Sequence, residues 1–388
     1  MAIKAGVVRE TAPGERRVAL TPESVAKLQA ADISVLVERN AGAAAAFRDA
    51  EYEAAGAKVV AQAALYAQSD VILRVNKPSP AEAKLLKSGQ VVIGLLSPLL
   101  DPALMAELAA KDVTAISLDA IPRTLSRAQN MDALSSQANV AGYKAVIMAA
   151  ESFGRYFPLL TTPAGTAKPA NVLVLGIGVA GLQAIATARR LGAMVRAYDV
   201  RPETKEQAES LGAQFVTLRS VSNGSGEGGY ARALTPEEQA AQQAELNDVI
   251  GGMDIVITTA QVPGRKPPVL VSAAAVECMK PGSIVVDIAA SELGGNCELS
   301  VAGKTTETSN GVTIFAPANV PATMPTGASA FYSRNISNLF LHFMKSGEVN
   351  FDFADEITSA TVITHDGRVV QPATAKLLET VNVGGVKA

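Results

Sequence analysis

The sequence has no tryptophan, two cysteines and two histidines, and aromatic residues make up only 4% of it. Each scarcity removes a class of protein. Two thiols, Cys278 and Cys297, cannot staple a small secreted scaffold; both are expected as buried thiols. His342 and His365 show no Cys/His spacing of a metal site. His342 lies in an apolar helical run and is expected to pack. His365 stands beside Asp366 and Gly367 in a polar, turn-like segment and is expected at the surface. With few rings available, the cores must be built from Ala, Val, Ile and Leu, which suits buried parallel strands under alanine-rich helices. A strong charge bias is also missing. The formal net charge is −3, which argues against general affinity for nucleic acid or anionic lipid. Long hydrophobic runs are absent too. "VVIGLLSPLL" is about half a membrane span and is broken by Gly, Ser and Pro. "MAIKAGVVRE" lacks the apolar region of a signal peptide. The expectation is a cytoplasmic chain with no direct membrane insertion.

What is present is length and alternation. A chain of 388 residues exceeds one ordinary core, so two domains are expected. Short β-branched runs alternate with alanine-rich helical segments. Strands are expected at Lys4–Val8, Ser34–Val37, Val71–Val75, Val91–Leu95 and Thr114–Leu118. Six more are expected in "NVLVLG", "MVRAYD", "AQFVTL", "MDIVITT", "SIVVDIA" and "GVTIFAP". Between strands, "TPESVAKLQAA" reads as a helix with Thr21 as cap and Pro22 in the first turn. The pattern implies an α/β fold of two Rossmann-like, doubly wound parallel-sheet domains. The second is expected to be inserted into the first: residues 1–135 plus 320–388 form one domain and 136–319 the other. "RYFPLLTTPAGTAKPA" reads as a linker, and the apolar helix "ASAFYSRNISNLFLHFMKSG" as the return to the first domain. The Gly-rich "VSNGSGEGGYARAL" precedes a helix whose Thr235 and Glu238 form a capping-box pattern. It reads either as a solvated excursion or as a mobile flap with Tyr230 at its tip.

The most informative segment is "VLVLGIGVAGLQAIATARRLGAMVRAYDVRP". Gly176, Gly178 and Gly181 form G-x-G-x-x-G between a strand and a helix, and Asp199 closes the next strand. The first glycine permits a tight turn, the second a close backbone approach to pyrophosphate, and the third close helix packing. The helix N-terminus adds N–H groups and partial positive charge. Asp199 can accept hydrogen bonds from ribose hydroxyls, which favours NAD(H) over NADP(H), although Arg201 tempers that preference.

A dehydrogenase acting on an alcohol, amine or hydroxy acid moves a proton as well as a hydride, and no acid–base pair is evident here. Instead a polar run, "PRTLSRAQNMDALSS", leads into a helix of small residues, "QANVAGYKAV". By itself this is a polar loop capping a helix, or a binding loop.

The chain resembles, over nearly its whole length, the NAD(H)-binding domain I component of proton-translocating nicotinamide nucleotide transhydrogenases, a family related to alanine dehydrogenase. The matching stretches are "RRVALTP", "SRAQNMDALSSQANVAGYKAV", "VLGIGVAGLQAIATARRLGA", "YDVRPE", "PGSIVVDIAA", "GGNCELS" and "ATVITHDGRVVQP". The resemblance implies reversible hydride exchange between NADH here and NADP(H) on a partner domain. It also implies a homodimer docked on membrane-spanning partner subunits. It places an Arg–Gln–Asp loop beside the nicotinamide, here Arg123, Gln129 and Asp132, with Asn130 and Met131 between them and Ser135 following. It places Val179 in the glycine turn, and Asp199, Val200 and Arg201 at the adenosine. Gly229 and Tyr230 fall in a mobile loop, and Gln242, Gln261 and Val262 near the nucleotide. Alanine dehydrogenases carry a lysine where this chain has Asn76 in "VNKP". They carry a histidine where it reads "GLLSPL", and an aspartate where it offers Glu292. Arg17 of "RRVALTP" persists, with a structural role expected. Three readings stand at this point: a transhydrogenase component, an alanine-type dehydrogenase, or a non-catalytic NAD-binding regulatory module.

Overall fold

The computed structural model describes residues 3–218, 235–261 and 266–384. They fall into two compact units, residues 1–137 with 322–388 and residues 138–321. The first opens with β1 (Lys4–Val7), β2 (Ser34–Glu38), β3 (Lys58–Val60), β4 (Val71–Asn76), β5 (Val91–Leu95) and β6 (Thr114–Ser117). The second holds β7 (Leu160–Thr162), β8 (Gly165–Ala167), β9 (Asn171–Leu175), β10 (Met194–Tyr198), β11 (Gln214–Phe215), β12 (Ile255–Thr258), β13 (Ile284–Asp287), β14 (Lys304–Glu307) and β15 (Thr313–Ala316). The chain then adds β16 (Met344–Lys345), β17 (Glu348–Val349), β18 (Val362–His365) and β19 (Arg368–Val369) to the first unit.

Both large sheets are doubly wound α/β sheets. The first unit runs β19-β18-β6-β5-β4-β1-β2-β3, with β1 to β6 parallel and β18 and β19 antiparallel at one edge. The second runs β11-β10-β9-β12-β13-β15-β14, parallel except for β14. Central strands are apolar on both faces because helices cover both. β9 sends Val172 and Val174 into one apolar layer and Leu173 and Leu175 into the other. In the first unit Val7 and Leu73 lie in one layer and Leu36 and Ile72 in the opposite one. The helix Pro325–His342 contributes Tyr332, Ile336, Leu339 and Phe340 to the first of these layers.

Several local expectations change. The linker after Phe157 carries a two-stranded hairpin, β7 against β8, with Pro163 and Ala164 at its turn. The expected strand "AQFVTL" is only two residues long. Thr21 stands at the helix start but makes no side-chain cap. Its N–H donates to Ser333 Oγ at 2.9 Å, because the neighbouring Pro325–His342 helix offers a buried hydroxyl there. Cys278 is exposed rather than buried, while Cys297 is buried. Burial pushes the Cys297 thiol up to about 11. His365 is half-buried, not superficial: it ends β18 and packs against Phe351, with ring centroids 4.8 Å apart. The flap residues 219–234 lie outside the described residues, as does the Glu238 side chain of the capping box.

Candidate functional site

The second unit builds a phosphate-binding turn with side chains kept out of it. β9 ends at Leu175, and Gly176 takes φ +91°, a left-handed conformation suited to glycine. A Cβ on Gly181 would lie 1.9 Å from the Gly176 carbonyl, so the helix Val179–Arg190 starts that close to the strand only because residue 181 is glycine. A Cβ on Gly178 would meet nothing within 4 Å. The middle glycine therefore borders open space, at the start of a helix whose N-cap has no side-chain bond. Such a cradle fits the pyrophosphate of a dinucleotide. Behind the turn, Thr259 Oγ1 donates to the Gly176 carbonyl at 2.9 Å. The helix Ala133–Ser152 reaches this region through Gly142, whose Cβ would lie 2.0 Å from the Ala180 carbonyl. The small residues of that helix are thus explained by close approach to the fingerprint helix.

Asp199 follows β10 as expected, but its carboxylate is already engaged. Oδ2 accepts from the Ile177 N–H (2.7 Å) and Arg201 Nη2 (2.9 Å); Oδ1 accepts from the Arg201 N–H (2.9 Å) and Nε (3.0 Å). Four donors match the acceptor capacity of a carboxylate. A ribose reaching Asp199 must share it with Arg201. Val200 is half-buried beside them, and Gln261 is exposed after β12. Gly229, Tyr230 and Val262 lie outside the described residues, as does the Gln242 side chain in the helix Pro236–Gly251.

The first unit holds the polar loop. Residues Ser126–Met131 form a 3-10 turn, and Asp132 joins it to the helix Ala133–Ser152. Asp132 is buried and caps that helix: Oδ1 accepts from the Ser135 N–H at 2.8 Å. Its Oδ2 accepts from Ser135 Oγ (2.6 Å) and Arg123 Nε (3.1 Å), and Arg123 Nη2 also reaches Ser135 Oγ at 2.9 Å. Arg123, Asp132 and Ser135 are therefore one cluster. Met131 packs inward, while Gln129 and Asn130 are exposed. Among the described residues the Gln129 amide has no hydrogen-bond partner.

A second polar cluster lies in the same unit, around Arg17. Its guanidinium grips Glu15 through Nε (2.8 Å) and Nη2 (2.7 Å) and donates from Nη1 to Gln137 (2.8 Å). Asn76 donates to Glu10 and Glu15, each at 3.0 Å. Burial pushes the Glu15 carboxyl up, but the Arg17 hydrogen bonds and charge, with Asn76, outweigh it and hold it at about 2. Burial raises Glu10 above the usual carboxylate range, despite Arg74 and the donors at Val75 and Asn76. A cleft of about 900 Å³ opens nearby, lined by Glu10, Arg74, Asn76, Lys77, Glu82 and Asp119 among others. Its cations are spent: Arg74 Nη2 pairs with Glu82 at 3.1 Å and Lys77 with Asp101 at 2.6 Å. Glu292 is exposed.

Two supporting residues were not foreseen. Asp287 is fully buried and accepts from Thr258 Oγ1 (2.9 Å), the Ala289 N–H (3.0 Å) and the Cys297 N–H (2.9 Å). Asn296, also fully buried, pairs with both backbone groups of Ala260. They brace the segment after β12, beside the glycine turn. The signal lay in "VVDIAA" and "GGNC", polar residues set in apolar surroundings. Among the described residues there is no cluster of His, Cys, Asp or Glu fit to hold a metal. No helix among them is long and apolar enough to cross a membrane.

Family models match both halves: the alanine dehydrogenase/PNT N-terminal domain over residues 6–141 and its C-terminal domain over 145–372. The NAD(P) transhydrogenase subunit alpha of Cereibacter sphaeroides is 44% identical over 95% of this chain and 71% of its own length. A Rhodospirillum rubrum protein that also bears the name NAD(P) transhydrogenase subunit alpha is 43% identical over 96% of this chain and 98% of its own. A crystal structure of transhydrogenase from Sinorhizobium meliloti superimposes with a TM-score of 0.86 at 43% identity, covering 95% of this chain and all of that one.

Proposed function

Because this chain belongs to the alanine dehydrogenase/PNT family, we propose that it is the NAD(H)-binding alpha component of an NAD(P) transhydrogenase. It holds NAD(H) and exchanges hydride with NADP(H) bound on a partner domain. Close relatives bearing the transhydrogenase name over almost the whole chain support the reaction. The preference for NAD(H) rests on Asp199, whose charge opposes a 2′-phosphate. The adenosine and pyrophosphate fall to Gly176, Gly178, Val179, Gly181, Asp199, Val200 and Arg201, and the flap and post-β12 positions Gly229, Tyr230, Gln242, Gln261 and Val262 are assigned to the nucleotide on the resemblance. Arg123, Gln129, Asn130, Met131, Asp132 and Ser135 are assigned to the nicotinamide.

The nucleotide supplies the hydride, which leaves one ring carbon and arrives at another with both electrons, so no proton is released or taken up. The protein therefore needs no general acid or base at the reacting atoms. Its residues hold, align and exclude water. Asp132 and Arg123 keep the loop closed, Ser135 and the loop backbone orient the carboxamide, and Gln129 reaches the second nucleotide. The observation that carries this reading is the unpartnered, exposed Gln129 amide on a turn whose other polar side chains are engaged.

The alanine-dehydrogenase alternative is disfavoured by Arg17. Its fork, the group that would bind a keto-acid carboxylate, is closed by Glu15 and Gln137. Assembly as a homodimer on membrane-spanning partners follows the resemblance. It gains support from the apolar residues exposed beside the β7–β8 hairpin, Tyr156 and Leu159, at 60% and 61%.

The test uses the purified chain. NADH titration should show binding, pyruvate with ammonia should give no turnover, and hydride exchange should begin when the NADP(H)-binding partner is added. Asp132→Asn should cut the exchange rate far more than NADH affinity. Alanine oxidation by the chain alone would end the proposal.

A further inference from the structure

The turn 126–131 is held from a direction that the loop's own residues do not explain. The Asn130 carbonyl accepts two side-chain amides at once, Asn335 Nδ2 at 2.9 Å and Asn338 Nδ2 at 3.0 Å. Both come from one face of the helix Pro325–His342, three residues apart. Each amide is oriented by a further donor on its oxygen. Ser136 Oγ lies 2.7 Å from Asn335 Oδ1, and Lys27 Nζ lies 2.5 Å from Asn338 Oδ1. Asparagine is a poor residue for a helix interior, because its side chain competes for backbone bonds. Asn335 is nevertheless 7% exposed in the middle of this helix.

A second anchor sits at the start of the turn. Arg127 Nη1 pairs with Asp355 Oδ1 at 2.5 Å. Asp355 is itself fixed, accepting from the Thr358 N–H at 2.9 Å while its Oδ2 lies 2.9 Å from His342 Nε2. With Asp132 capping the next helix, the turn is tied at residues 127, 130 and 132. Gln129 stands between the ties with its amide unspent.

Resting on the proposed function, we infer that Asn335 and Asn338, backed by the Arg127–Asp355 pair, are positioning residues for hydride transfer. They touch neither nucleotide. They set the height and rotation of the turn and thereby aim the Gln129 amide. Direct transfer between two rings depends steeply on distance, so a small displacement of the turn reduces the rate while leaving most of the binding contacts intact.

The experiment mixes NADH-loaded protein with its NADP+-loaded partner subunits and reads single-turnover hydride transfer, beside an NADH titration. Asn335→Ala should slow transfer about tenfold with NADH affinity little changed. Asn338→Ala, at a half-buried position, should do the same to a smaller degree; it keeps the test alive if the first variant folds poorly. In a Gln129→Ala background neither change should slow transfer further, since the group they aim is gone. A purely structural role would lower the melting temperature and add fully to Gln129→Ala, which overturns the inference. An unchanged rate overturns it as well, and amide exchange across 126–132 then separates two causes. Faster exchange means the asparagines hold the turn but the turn does not serve transfer, so the functional reading fails. Unchanged exchange means they do not hold it, and only the inference fails.

Discussion

The two units run the same central strand order, β3-β2-β1-β4-β5-β6 in one and β11-β10-β9-β12-β13-β15 in the other, yet their first turns are opposites. After β9 the chain passes three glycines into a helix, and the turn is bare backbone. After β1 it passes Arg9, Glu10, Glu15, Arg16 and Arg17 before the helix Pro22–Gln29, whose first residue has no N–H to offer. Both sheets have a switch point at the carboxyl ends of their strands, where open α/β sheets bind ligands. In the second unit that place presents backbone donors and open space at Gly178. In the first it is crossed by buried pairs, Arg17 with Glu15 and Arg74 with Glu82. The topology offers the crevice, and side-chain chemistry decides whether it binds a phosphate.

The largest test of this contrast is at the glycines. Gly181→Ala puts a methyl group 1.9 Å from the Gly176 carbonyl. It should abolish NADH binding and cost about 1–3 kcal/mol as the helix start is forced outward. Gly178→Ala meets nothing in the fold, so melting should be unchanged while NADH affinity drops about tenfold, the loss of a close phosphate approach. Fluorescence titration and thermal melts report both. Wild-type affinity in Gly178→Ala would mean that the bare turn is not a cradle and that the contrast is only one of packing.

The first unit should answer oppositely, in stability and not in binding. Arg17 and Glu15 side chains are 5% and 0% exposed. Arg17→Met strands a buried carboxylate and should cost about 3–5 kcal/mol in denaturant unfolding, with NADH affinity intact. The same pair sets an acid limb. A carboxyl held at about 2 in the fold, against 4.5 for the free group, contributes stability above pH 4.5. That contribution disappears as pH falls from there through 2. Glu15→Gln should flatten this part of the pH–stability curve. If Arg17→Met instead weakens NADH binding and leaves stability alone, the first turn is a ligand site after all.

Much of this contrast is legible in the residues. Buried β-branched runs announce the strands, because both faces of a parallel strand are apolar; the edges hide because β3, β11 and β16 to β19 are short or half-exposed. "GIGVAG" is legible because its glycines do a local job, one that follows from backbone geometry at 176, 178 and 181. The loop around Asp132 is legible only through its likeness to a family, since Arg123, Asp132 and Ser135 make an ordinary helix cap locally. Long-range partners are invisible: nothing near Asn130 in sequence points to Asn335, and nothing in "VVRETAPGERR" shows that Glu15 closes the fork of Arg17. Asp287 and Asn296 escaped notice for the same reason, as their partners lie tens of residues away.

The smallest expected effect lies where the second unit departs from its own rule. Asp199 and Arg201 form a closed pair like those of the first unit, but with Arg201 16% exposed and at the ribose end of the cradle. If it is a lock of the first kind, removing Arg201 strands Asp199 and destabilises the unit. The geometry favours a gate. Asp199 keeps the Ile177 N–H at 2.7 Å, and its freed oxygen then faces the ribose. Arg201→Ala should therefore leave melting nearly unchanged and NADH affinity equal or slightly higher. NADPH binding should weaken about tenfold, because the 2′-phosphate loses its cation and meets an unshielded carboxylate. Parallel NADH and NADPH titrations decide it, and a gain in NADPH affinity would show that Arg201, not Asp199, had been excluding the phosphate.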